Sequence, residues 1–134
     1  MLVGKINTNL LREYIRESSR AANGDCYEAA GKFVMDSCQS SGAGDCSLIL
    51  VHGEVMGQGP LGGVTFGHAW VIDGNTVIDK SNGRDVQMLQ PIYYAIGQID
   101  NIGNVHQYTW SAARKQILDS GHWGPWELET ESGL

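Results

Sequence analysis

FGHAWVIDGNTVIDK, residues 66–80, is the stretch whose reading decides the fold of this chain. Aromatic and β-branched residues fill both halves, and Asp73, Gly74 and Asn75 between them are turn formers, so residues 66–72 and 76–80 are predicted to pair as a hairpin. If Asp73 and Gly74 are the central residues of a type I′ turn, His68 lies directly opposite Asp79, with Cβ atoms about 5 Å apart. If Gly74 and Asn75 are central instead, the two become diagonal neighbours on the same face. Either register brings an imidazole and a carboxylate together. Trp70 shares that face with His68 and is placed to shield the ring from water.

Working outward, SLILVHGEVM (47–56) is a short aliphatic run that predicts another strand, and GQGPLGG after it predicts a glycine-rich loop. Upstream, GDCYEAAGKFV predicts a helix beginning near Cys26, with Asp25 as cap and Glu28 completing a capping box. Tyr27, Ala30, Phe33 and Val34 form its apolar face. An earlier amphipathic helix is expected over 9–20, with Leu10, Leu11, Tyr14 and Ile15 on one side. Downstream, SNGRD is a turn, 91–99 a short helix with Pro91 in its first turn, and 105–108 a further strand. Thr109 caps a helix over 110–120 that Gly121 ends, and GHWGPWEL is expected to lie extended across the domain. The sum is an α+β fold, N-terminal helices packed on a small antiparallel sheet, in a single domain spanning 1–134.

Composition narrows the function. A chain of 134 residues has room for one core, and a formal charge of −6 with scattered Lys and Arg offers no basic stripe for nucleic acid. No segment reaches the roughly 18 apolar residues of a membrane span, and the first residues do not read as a signal peptide. The expected compartment is therefore the cytoplasm, with no membrane partner. Three cysteines without a CxxC pair suggest thiols in a reducing environment more than a disulfide framework.

Cys26, His68 and Asp79 are the residue types of a thiol nucleophile, its general base and the group that orients the base. At a helix start Cys26 feels the positive end of the macrodipole, which favours the thiolate, and its own backbone amide can donate to an oxyanion. Asn23 is the candidate second donor, with the Ser19 side chain as another. Each residue also has a plain structural reading: a cysteine at a helix start is often an inert core residue, and His68 with Asp79 could be a simple cross-strand contact. Cys38 and Cys46 read as structural or incidental. With His52 and His68 they match no zinc spacing, so no metal and no cofactor is expected. GQGPLGG lacks the Lys-Ser/Thr ending of a phosphate loop.

GHAWVIDGNTVIDKS is similar to the segment of transglutaminase-like and papain-like proteins in which HAWV opens one strand and an aspartate ends the next. GDCYEAAGKFVMDS resembles the cysteine-bearing helix of that superfamily. The resemblance covers residues 23–81 and implies a helix packed on an antiparallel sheet, with the nucleophile at the helix end. It implies a cysteine-dependent amide hydrolase, a peptidase or amidase acting through a thioester on Cys26, with a peptide or other amide as substrate. Acyl transfer to an amine, or a non-catalytic interaction module that keeps the fold, are the alternatives. Three departures stand out: Lys80 replaces the proline usual after the aspartate, Val77 and Ile78 replace the aromatic expected before the end of the second strand, and no glutamine precedes Cys26 as an oxyanion donor. Residues 51–97 are also similar to small proteins of tailed phages, a likeness that implies no activity.

Overall fold

The computed structural model describes residues 25–41, 46–57, 63–83, 85–99 and 104–128. The expected helix over 9–20, most of the glycine-rich loop, Ser19 and Asn23 lie outside the described residues. Among those described the protein is α+β, with three α-helices and one five-stranded sheet: α1 (Asp25–Ser41), β1 (Ile49–Met56), β2 (Thr65–Asp73), β3 (Thr76–Asp79), β4 (Val86–Leu89), α2 (Gln90–Gly97), β5 (Val105–Thr109) and α3 (Trp110–Ser120). The strand order is β4-β3-β2-β1-β5, and every neighbouring pair is antiparallel. Short β4 was missed, because VQML has neither the length nor the alternation that marks a strand in isolation. It forms by pairing with β3, Thr76 opposite Leu89 and Asp79 opposite Val86.

The hairpin turn takes the second of its two expected registers. Asp73 pairs with Thr76, so Gly74 and Asn75 are the central residues, and Gly74 has a φ of +65°. A glycine in the first central position suits a type II′ turn, whose twist matches the strands and whose positive φ glycine adopts without steric cost. The type I′ turn over Asp73 and Gly74 is thereby corrected.

Alternation along the strands divides the core. Phe66, Trp70 and Ile72 of β2, with Val51, Val55 and Val77, face α2 and pack with Tyr93 and Tyr94. Ala69, Val71, Leu50 and Ile78 face the other way, against Tyr27, Ala30 and Val34 of α1. Each buried Val, Leu, Ile or Phe among them contributes about 1.5–3 kcal/mol, so both helices are held mainly by burial. The stripe on α1 is the one its sequence predicts, but Glu28 pairs with Lys32 at 2.6 Å, the i,i+4 contact of a helix surface.

The ends of α3 follow the sequence closely. Thr109 Oγ1 accepts from the Ala112 amide at 3.2 Å, and Gly121, at φ +78°, returns its N–H to the Ile117 carbonyl at 2.8 Å. The segment beyond lies against the domain as expected: Trp123 covers Gly31 of α1, Trp126 covers His52 and Leu128 is buried.

The cysteines correct the sequence reading. Cys38 and Cys46 form a disulfide, with Cα atoms 5.2 Å apart, that ties the last turns of α1 to the segment entering β1. An odd count excludes only complete pairing, and here one pair forms while Cys26 keeps its thiol. No helix among the described residues is long and apolar enough to cross a membrane.

Candidate active site

His68 and Asp79 arrive from adjacent strands. Extending the β2–β3 register places Asp79 opposite Trp70, so His68 is its diagonal neighbour on the same face. Both side chains are fully buried, and His68 Nε2 lies 2.8 Å from Asp79 Oδ2. The carboxylate has further partners. Tyr93 donates its hydroxyl to Oδ2 at 2.6 Å, and Ser81 donates both its backbone N–H (3.2 Å) and its hydroxyl (2.9 Å) to Oδ1. β3 ends at Asp79, and the 3₁₀ turn Ser81–Gly83 that follows folds the Ser81 amide back onto the carboxylate.

Burial shapes the electrostatics of the pair. It pushes His68 down to about 4 and Asp79 up to about 7, where the hydrogen bonds from Tyr93 and Ser81 pull the carboxyl the other way. The Ser81 amide can only donate, and a carboxylate can accept from all these groups at once, so the network fits an ionised Asp79 beside a neutral imidazole. In that state Nε2–H is the donor to Asp79, a tautomer inferred from the hydrogen-bond network. Nδ1 is then the ring atom that can take a proton. Trp70 lies almost parallel to the imidazole, with centroids 6.1 Å apart and planes at 29°, and Phe66 meets it edge-on at 6.2 Å. The predicted shielding by Trp70 is present.

Cys26 occupies the first turn of α1 and is 5% exposed. It belongs to the packing cluster between α1 and the sheet face of Ala69 and Val71, not to the cluster of Trp70 and Tyr93. Burial first, then Asp79, and then Cys26 push the Tyr93 hydroxyl well above its ordinary range. Tyr27 is likewise raised, by burial and then by Cys26. α1 packs on β2 and on the turn Ser81–Gly83 that follows β3. Comparison with known proteins adds nothing to this geometry. No family model, curated protein or solved structure matches the chain.

The structure therefore brings His68 and Asp79 into contact, while Cys26 lies in the packing cluster between α1 and the sheet face of Ala69 and Val71. Lys80, at the position where the resembled proteins carry proline, spans outward from the end of β3: its ammonium lies 5.1 Å from the Phe33 ring of α1 and 3.4 Å from Asp85.

Tyr93 lies in the core and combines packing with a polar role that the sequence analysis does not assign it. The local pattern offered no signal for one, since the contact spans 14 residues. His52 was weighed only as a metal ligand, yet it is fully buried and neither ring nitrogen makes a hydrogen bond. Tyr27, Tyr108 and Trp126 enclose its ring at centroid distances of 4.9, 5.2 and 4.8 Å.

Proposed function

We propose that this protein is a cysteine-dependent amide hydrolase, a peptidase or amidase with a papain-like or transglutaminase-like core, in which Cys26 is the nucleophile, His68 the general base and Asp79 its orienter. The observation that carries the reading is the buried His68–Asp79 contact, because it commits Nε2 and makes Nδ1 the proton acceptor. In the reaction His68 Nδ1 takes the proton from Cys26 Sγ, and the thiolate adds to the amide carbonyl carbon. The C–N bond then breaks, the amine leaving with the proton from His68. Water, deprotonated by His68, attacks the thioester and releases the acid, and the proton returns to Sγ. The Cys26 amide, at the start of α1, is the first donor to the oxyanion, and Asn23 is the candidate second.

The test is covalent labelling with a thiol-directed electrophile such as iodoacetamide, followed by mass mapping, on the oxidised protein, where Cys38 and Cys46 are paired. Fast labelling of Cys26 with a rate that tracks an ionisation below 7, lost in His68→Ala, supports the mechanism. Slow labelling with a midpoint at 8.5 or higher removes it and favours the second reading, an interaction module that keeps the fold without activity. The burial of Cys26, His68 and Asp79 together favours that second reading, since a nucleophile must be reached by its substrate.

A further inference from the structure

We propose that Tyr93 is a positioning residue for His68, its hydroxyl holding the Asp79 carboxylate in the orientation that the imidazole Nε2–H needs. The role assigned to His68 rests on the hydrolase reading above, whereas the positioning itself rests on contacts. Tyr93 O–H and His68 Nε2 share Oδ2 at 2.6 and 2.8 Å, while Ser81 saturates Oδ1. With both oxygens bonded from different directions, the carboxylate cannot turn about its χ2 without breaking contacts on both sides. The phenol is itself fixed. Tyr93 is 1% exposed, and its ring lies against Trp70 (5.6 Å) and Tyr94 (6.4 Å), while Trp70 Nε1 donates to the Tyr94 hydroxyl at 3.3 Å.

The chain reaches this arrangement through α2. Pro91 in the first turn starts the helix directly after β4, which places Tyr93 one turn in, over the end of β3. Burial and the neighbouring Asp79 keep the proton on the phenol, so Tyr93 is a donor throughout the neutral range. Sharing Oδ2 has an electronic consequence. A donor on the same oxygen withdraws acceptor strength from the bond to His68, so Tyr93 restrains the basicity of the imidazole as well as orienting it. The titratable groups that bear on Tyr93 are Asp79 from β3, Tyr94 from α2 and Cys26 from α1, and those in contact with His68 through this network are Asp79 and Tyr93.

The experiment is Tyr93→Phe in the full chain, which keeps the ring and removes only the hydroxyl, with Ser81→Ala as a second variant that weakens the other side of the carboxylate. Histidine ring signals are followed by NMR against pH in a Cys26→Ala background, with His68 assigned from His68→Asn. An upward shift of the His68 midpoint by about one pH unit in Tyr93→Phe, and a smaller one in Ser81→Ala, is the expected result. An unchanged His68 midpoint in both variants, with only a lower thermal midpoint, would reduce Tyr93 to a packing residue and overturn the proposal. The pH profile of Cys26 alkylation, measured separately with Cys26 present, isolates the underlying reading. A His68 shift with no matching change in alkylation upholds the positioning role and sinks the hydrolase.

Discussion

His68 Nε2 and Asp79 Oδ2 lie 2.8 Å apart although their strands set the two residues diagonally, with Trp70 in the register position opposite Asp79. The diagonal arrangement lets Trp70 stack on the imidazole while His68 leans along the strand to the carboxylate. Four donors from three elements converge on Asp79, which makes it central to the packing of this part of the fold.

Asp79→Asn replaces one accepting oxygen by an amide that donates, against an Asp79 site crowded with donors. Stability should fall by about 1–3 kcal/mol in urea denaturation. If His68 is the base, amidase turnover should drop roughly 100- to 10,000-fold, as expected when the base loses its tautomer. Turnover close to that of the unsubstituted protein would remove Asp79 from the mechanism.

Gly53→Ala tests the packing beneath the site. A Cβ there would lie 2.6 Å from Trp70 Cη2 and 3.3 Å from a Val105 methyl, so the indole must shift. The expected cost is about 1–3 kcal/mol, with a change in tryptophan near-UV circular dichroism. Because Trp70 also stacks on His68, the His68 NMR signal should move with it. A variant as stable as the parent, with both spectra unchanged, contradicts the close packing.

His52 makes stability depend on pH. Burial, then His106, lowers it to about 3 in the folded protein, against about 6.5 unfolded, so the unfolded chain binds the extra proton. The His52 contribution to stability is complete above pH 6.5 and is lost as pH falls toward 3. The loss through His52 should reach about 2 kcal/mol by pH 5. His52→Leu removes this dependence, so the difference between parent and variant in urea midpoints should shift in favour of the variant between pH 7.5 and 5. A constant difference would place the proton elsewhere.

The Cys38–Cys46 disulfide closes a short loop, eight residues apart in sequence. Reduction should cost roughly 2–3 kcal/mol by chain entropy. In denaturant, thiol titration should rise from one group per chain to three on adding dithiothreitol. Three groups without reductant would show that the bridge does not form in solution.

How far the sequence could be read follows the range of each contact. The two caps of α3 were legible because Thr109 and Gly121 satisfy backbone groups within four residues of themselves. The His68–Asp79 pairing was legible because one hairpin turn carries it. β4 and the disulfide were not, since VQML becomes a strand only against β3 and Cys38 meets Cys46 only once α1 is packed on the sheet.

By itself the sequence determined the alternation that splits the strands into two faces, the apolar stripe of α1 and the proximity of an imidazole to a carboxylate across a short turn. All of these depend on periodicity or on turn chemistry within a few residues. Tertiary structure alone decided that Tyr93 and Ser81 complete the shell of Asp79, that aromatic rings enclose His52, and that Cys26 packs between α1 and the sheet. The physical reason is burial. Once water is excluded, each polar group must take its partners from whichever element the packing brings within reach, and local sequence does not specify which one that is.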